Sequence, residues 1–238
     1  MHRIYQLLDL KCGETVTLDK AASNHLLRVL RMRVGESLIV FNGRGGEYSA
    51  ELVAVGQQAA IKLQEFYDIK REPSVAVHLG QCISRGERMD YALQKSVEVG
   101  VAEITPLFAE RCNVKLDAGR IRKRMQHWQA IVISACEQSG RTTVPVLHEP
   151  VELTTWVQQC RGVSFVCDFQ PTTSGDMNFK MANLLIGPEG GLTTEEIAFA
   201  HQHEFRSLFL GQLTLRTETA PVVAITTLEM SSNKNEKR

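Results

Sequence analysis

The chain has 238 residues, 43% of them hydrophobic, with 27 Lys and Arg balanced by 27 Asp and Glu. That is enough apolar material for one large domain or two small ones with real cores, and no run approaches the ~18 apolar residues of a membrane span. The six cysteines, at 12, 82, 112, 136, 160 and 167, form no C-x-x-C pair and sit near no histidines at ligand spacing, so neither a metal site nor a disulfide framework is expected.

The opening stretch from Met1 to Tyr5 meets Asp9 and Lys11 before any long apolar segment, so it lacks a secretory leader and the chain reads as cytoplasmic. Lys20 to Met32 reads as a helix carrying Leu26, Leu27, Val29 and Leu30, interleaved with Arg28, Arg31 and Arg33. Ser37–Phe41, Tyr48–Val55 and Ala59–Tyr67 read as strands, the first two joined by the glycine turn Asn42–Gly46. Short strands with glycine turns suggest a small barrel or curled sheet. The polar, proline-containing Asp68–Ser74 marks a boundary, giving domains over 1–72 and 73–238.

Beyond it, strands alternate with helices. Val75–Gln81 is a strand of the buried kind, and Gly86–Val99 a helix with Met89, Leu93 and Val97 on one face. Ala102–Leu107 follows as a strand. Asp117–Gln138 is a long helix carrying Ile121, Met125, Trp128, Val132 and Ala135. Val163–Cys167, Asn183–Ile186 and Ser207–Leu210 are short strands, Thr193–His203 and Pro221–Met230 helices, and Ser231–Arg238 a polar tail. This alternation argues for an α/β domain with a mainly parallel sheet. Charge is slightly uneven: residues 1–150 carry a net +3 and residues 151–238 a net −3. That permits an RNA partner on the N-terminal side without demanding one.

Two segments carry chemistry. In Leu184–Ile197 a strand ends at Ile186, Gly187, Gly190 and Gly191 allow tight turning and close approach of a ligand, and Thr193 with Glu196 forms a capping box. Strand, glycine loop and helix N-terminus make a binding site in open α/β sheets, though a plain connecting turn uses the same residues. Neither G-x-G-x-x-G nor G-K-[ST] is present, so phosphate cradling and a nucleotide hydrolase are disfavoured. Leu208–Pro221 repeats the scheme with Gly211, then Arg216 and Glu218 among threonines before another helix. As an isolated pair, Arg216 and Glu218 read equally as a capping arrangement.

The paired loops, Gly187-Pro-Glu-Gly-Gly-Leu192 and Leu210-Gly211 with Leu215-Arg-Thr-Glu-Thr-Ala220, resemble the cofactor signature of the SPOUT methyltransferases. More narrowly they resemble the small-subunit ribosomal RNA methyltransferase E family, which methylates N3 of a uridine in 16S rRNA. The likeness covers nearly the whole chain, through Asn24–Arg31, Gln94–Gly100 with Ile104–Leu107, and Ala135–Arg141. The sequence departs from the family pattern at Leu213, Thr214 and Pro221; Leu213 stands where an arginine is usual.

The resemblance implies a PUA-like RNA-binding barrel followed by a trefoil-knotted SPOUT α/β domain, acting as a homodimer on 16S rRNA or the small ribosomal subunit. It implies S-adenosyl-L-methionine held around Leu185, Gly187, Glu189, Gly190, Gly191, Leu210, Gly211 and Leu215. Uracil N3 carries a proton, so a base is needed; Glu218 is favoured over Glu137 and Glu189, with Arg216 stabilising the developing anion. Arg3, Arg28, Arg31, Arg33, Arg85 and Arg88, with the Arg120–Arg124 cluster, are candidates for phosphate contact. His25 is expected to pack or cap. Two other readings stay open: a non-catalytic RNA-binding module on the same fold, and a relative acting on tRNA or a ribose hydroxyl.

Overall fold

The computed structural model describes residues 1–112, 117–168, 170 and 179–233. The chain forms two compact units: residues 1–72 with 136–144, and residues 73–135 with 145–238.

The first unit is built on a five-stranded sheet, ordered β1 (His2–Tyr5), β3 (Ser37–Phe41), β4 (Glu47–Ala54), β5 (Ala60–Tyr67) and β2 (Thr15–Thr17). β3, β4 and β5 form an antiparallel meander, while β1 runs parallel to β3. Alternation along β3 to β5 sends Leu38, Val40, Ala50, Leu52, Ile61 and Leu63 inward, where they meet Ile4, Leu18 and Leu26. The two edges are drawn together just beyond β1 and β2. The Gln6 carboxamide donates to Asp19 Oδ2 at 2.7 Å, and its oxygen accepts from the Asp19 amide at 3.1 Å. Sheet edges tied in this way close a small barrel and leave little free edge. At the β3–β4 turn a Cβ on Gly46 would lie 2.3 Å from the Phe66 ring, so glycine is required there.

The helix expected over Lys20–Met32 is shorter and changes pitch. α1 (Lys20–Asn24) starts where the Asp19 carboxylate accepts from the Ala22 amide at 2.8 Å. It passes into a π-helical turn over His25–Val29, in which the Leu30 amide reaches His25 O at 2.9 Å. Arg31, at φ 55°, then ends it. His25 lies half-buried at the start of that turn.

A charge network stiffens this unit. The Glu47 carboxylate, 6% exposed, pairs with Arg3 and, at 2.8 Å, with Arg71. The Arg3 guanidinium also donates to the carbonyls of Gly140 and Arg141. Burial pushes the Glu47 pKa up, but the bonds from Arg71 and Arg3 outweigh it and hold the carboxyl below its ordinary value.

The second unit holds a parallel sheet ordered β12 (Phe205–Leu208), β10 (Ser164–Cys167), β11 (Met181–Ile186), β6 (Ala76–Cys82), β7 (Glu103–Phe108) and β8 (Val146–Leu147), with β9 (Val151–Glu152) also on β7. β11 and β6 are nearly continuously buried, as strands covered on both faces are. α2 (Glu87–Glu98) buries Met89, Leu93 and Val97, the stripe its spacing predicts, and packs on α6 (Ala220–Asn233). α3 (Ala118–Ser139) buries Trp128, Val132 and Ala135. α4 (Leu153–Gln159) seats Trp156 over Gly80, where a Cβ would come within 2.7 Å of the indole. α5 (Thr194–Gln202) starts on the expected capping box: Thr193 Oγ1 accepts from the Glu196 amide at 3.1 Å, and the Glu196 carboxylate accepts from the Thr193 amide at 2.8 Å.

Two further boundaries that differ from expectation have a local cause. β12 ends at Leu208 rather than Leu210 because its ladder partner β10 ends at Cys167, opposite Leu208. The closing helix begins at Ala220 and runs to Asn233, so Pro221 sits in its first turn, where a missing N–H costs no hydrogen bond. The tail from residue 234 lies outside the described residues. Among the described residues no helix is long and apolar enough to cross a membrane.

Candidate active site

The C-terminal ends of β6, β10, β11 and β12 carry the two glycine-bearing loops, and a cavity of about 640 Å³ lies between them. In open parallel sheets this is where ligands bind. The first loop leaves β11 at Gly187. A Cβ there would lie 3.0 Å from Leu192 Cγ and 3.1 Å from the Leu192 amide, so any larger residue would press Leu192 aside. Gly191, at φ 70°, closes the turn with its amide on Pro188 O at 2.9 Å. The second loop leaves β12, turns at Gly211 (φ 114°), and enters α6 through the amides of Thr219 and Ala220, both 2.9 Å from Arg216 O.

The walls are apolar where Ile186, Leu192, Leu208, Leu210 and Leu215 face inward, and polar where Asp168, Glu189, Thr217 and Glu218 do. Among the described residues, Glu189 and Glu218 each keep one carboxylate oxygen buried without a hydrogen-bond partner. The Glu218 side chain is 14% exposed, and its nearest cation, Arg216 Nη1, stands 4.0 Å off on a side chain that is 79% exposed. Glu189 Oε1 is engaged by the Arg85 amide at 3.0 Å and by Arg88 at 3.3 Å. Burial alone pushes the Glu189 pKa up; the Arg85 amide, its own amide and Arg88 together hold it below the ordinary value. Asp168, by contrast, has both oxygens engaged, by the Ser207 hydroxyl at 2.9 Å and the Gln170 amide at 3.0 Å, with His201 Nε2 3.3 Å away.

The residues expected at this site divide. Gly187, Glu189, Gly191, Leu210, Gly211, Leu215, Arg216 and Glu218 line one cavity, together with Arg88. Leu185 and Gly190 do not. Leu185 is buried in the core behind the loop, its strand paired on both sides, and Gly190 turns toward Arg111, which donates to its carbonyl at 3.1 Å. Glu137, the rival base, belongs to the first unit, where it accepts from the Tyr5 amide at 3.0 Å. Burial raises its pKa, with that amide opposing. Among the candidate phosphate ligands, Arg28, Arg31 and Arg33 are exposed. Arg3 is spent on Glu47, and its side chain is 12% exposed, so it has no reach to a phosphate. Arg120 is exposed and paired with Asp117 at 3.3 Å. Leu213, the departure from the family pattern, lines the cavity mouth 80% exposed.

Sequence reasoning passed over Gln81 and Thr217, which join the loops, and Asp168 at the end of β10. A lone glutamine in an apolar strand and one threonine among three carry no spacing signal. Elsewhere in this unit one further group gathers ligand-type side chains: His78, Glu103 and His148, with one ligating atom each within 4.8 Å of one another. His148 bonds Glu103 at 2.7 Å, while His78 bonds the Thr105 hydroxyl at 2.8 Å and receives the Trp156 indole N–H at 3.4 Å. Burial lowers the His78 pKa, with Glu103 opposing and His148 reinforcing. These bonds make the group a brace across β6, β7 and the residues after β8.

Residues 70–229 match the RNA methyltransferase domain family, and residues 18–63 the RNA methyltransferase PUA domain. The chain is 34% identical to the ribosomal RNA small subunit methyltransferase E of Buchnera aphidicola over 96% of its own length and 95% of that protein's. It superposes with a TM-score of 0.93 on a structure from Legionella pneumophila solved with the cofactor SAM, at 39% identity and 96% coverage of both chains. A ribosomal RNA small subunit methyltransferase E from Neisseria gonorrhoeae, bound to S-adenosyl methionine, gives a TM-score of 0.90 at 35% identity, with 97% of each chain covered.

Proposed function

The chain belongs to the RNA methyltransferase family, and on that premise we propose that it methylates N3 of a uridine in 16S rRNA at the expense of S-adenosylmethionine. The observation that carries this reading is the pair of carboxylates, Glu189 and Glu218, each with a buried oxygen left without a donor among the described residues, inside a glycine-framed cavity with a leucine-rich wall. Unsatisfied buried acceptors are costly. They suit a ligand that brings positive charge and hydroxyl or ammonium donors along with an aromatic ring system, as S-adenosylmethionine does.

When bound, that cofactor supplies a methyl group on a positively charged sulfur. Gly187, Gly191 and Gly211 let the main chain approach it closely, and Leu210 and Leu215 form an apolar slot for the adenine. Glu189, fixed by Arg85 and Arg88, offers its second oxygen to a hydroxyl or ammonium. Holding donor and acceptor in line can supply about 7–11 kcal/mol of the barrier. Glu218 takes the N3 proton on its unpartnered oxygen, and Arg216, exposed at the rim, steadies negative charge on the uracil oxygens. Arg28, Arg31 and Arg33 in the first unit, and Arg85 and Arg88 in the second, contact RNA phosphates. Leu213 leaves the mouth without the usual arginine, so more of the anion stabilisation falls on Arg216. The working form is a homodimer, and its sheet carries the trefoil knot of the SPOUT fold.

The test is incubation with labelled S-adenosylmethionine and either naked 16S rRNA or assembled small subunits, followed by mapping of the modified base. Label on N3 of one uridine is expected. Label appearing in tRNA alone, or on a ribose hydroxyl, would overturn the substrate, and calorimetry showing no cofactor binding would favour an RNA-binding module.

A further inference from the structure

Three separate pieces of chain meet behind the cavity. Gln81, in the last turn of pleat of β6, is fully buried and lies opposite Ile186 in the β6–β11 ladder, one residue before Gly187. Its Nε2 donates to Thr217 Oγ1 at 3.0 Å and to Cys82 O at 3.2 Å. The Thr217 hydroxyl in turn donates to Gly187 O at 2.7 Å. The order of donors fixes the carboxamide orientation: Thr217 spends its only proton on Gly187, so it must receive from the nitrogen of Gln81. That leaves Gln81 Oε1 buried with no partner among the described residues.

An amide held this way is a poor choice for stability. A buried acceptor without a donor costs free energy, and an apolar side chain of the same shape avoids that cost. The bonds it makes, however, join the two loops that frame the cavity. Thr217 sits between Arg216 and Glu218 in one loop, and Gly187 opens the other. We infer that Gln81 is a positioning residue: through Thr217 it clamps the last loop to the glycine loop, setting the width of the cofactor cleft and the direction of the Glu218 carboxylate. Gln81 itself does not line the cavity; it acts through Thr217, which does, at a cost in stability.

The inference rests on the reading of the cleft as the S-adenosylmethionine site, and the experiment separates the two. Gln81→Met, Thr217→Val, Thr217→Ser and the Gln81→Met/Thr217→Val double variant are compared with the unaltered chain by calorimetric titration with S-adenosylmethionine. Thermal melting and amide hydrogen exchange without cofactor accompany it. Loss of one net hydrogen bond corresponds to a roughly tenfold weaker affinity. Gln81→Met and Thr217→Val are each expected to reach that loss, the double variant to be no worse than either single, and Thr217→Ser to bind as the unaltered chain does. Gln81→Met is expected to melt at the same temperature or higher, while amides of 187–191 and 211–219 exchange faster. Unchanged affinity and exchange in Gln81→Met would overturn the inference. So would a fall in melting temperature with exchange rising across the whole sheet, the mark of a merely structural side chain. An unaltered chain that does not bind S-adenosylmethionine, with the exchange pattern still as expected, would overturn the cofactor reading and the inference's account of what the clamp serves, while leaving the loop-to-loop coupling visible.

Discussion

Glu47 in the first unit and Glu218 in the second are both largely buried carboxylates, yet their surroundings are opposite. Glu47 faces two guanidinium groups that claim both of its oxygens, and its charge is held in place. Among the described residues, Glu218 has one oxygen with no donor, and Arg216 stands 4.0 Å from the other. A buried acid that is fully paired holds strands together. One left short of donors is available to a ligand or a proton. The same residue type is scaffold in one unit and the proposed base in the other, and the difference is visible only in the hydrogen-bond partners.

That contrast can be broken at several points. The largest effect is expected from Glu218→Gln, which keeps shape and removes basicity. Single-turnover methylation at saturating cofactor should slow by about 10²–10⁴-fold with the melting temperature unchanged, and an unaltered rate removes Glu218 as the base. Glu47→Ala should do the converse. It strands two guanidinium groups and should cost about 3–5 kcal/mol in urea unfolding of the first unit, with cofactor affinity in the second unit unaffected.

Because the Glu47 pKa is depressed on folding, its contribution is present above the ordinary carboxylate range and is lost as pH falls toward the folded value. Acid unfolding followed by circular dichroism should therefore lose that part of its pH dependence in Glu47→Gln. Smaller again is Gly187→Ala, whose methyl group crowds Leu192; a loss of about 1–3 kcal/mol is expected from overpacking, together with weakened cofactor binding. The smallest effect is expected from Arg28→Ala or Arg31→Ala: each should flatten the log–log salt slope of RNA binding by about 0.7–0.9 while leaving cofactor titration untouched.

Much of this arrangement is legible in the sequence, for identifiable reasons. β3 to β5 are legible from their apolar residues and glycine turn, α2 shows its stripe because one side packs, and the Thr193–Glu196 box announces α5. The glycines of both loops are legible because backbone turning demands them. Other elements leave no such trace. β2, β8 and β9 are two or three residues long, too short for any period to show. α4 contains two adjacent threonines that read against a helix, and Trp156 packing over Gly80 overrides them. Residues 136–144 belong with the first unit although they follow directly on the apolar stripe of α3, and a stripe records burial but not the neighbour that buries it. In the site the same limit applies. Glycines and acids could be named, whereas the Gln81–Thr217–Gly187 chain depends on three segments meeting in space.

The strand order of the second sheet has a consequence for how the protein is made. β6 starts at Ala76, but its neighbour β11 starts only at Met181 and fits between β6 and β10. At roughly 5–20 residues per second on the ribosome, one long flank of β6 waits several seconds with its backbone groups unanswered. Such a flank is an invitation to pairing with another nascent chain. The interval in which β6, β7 and β8 are complete and the strand that seals them is still being synthesised is the one in which the chain is most open to mispairing.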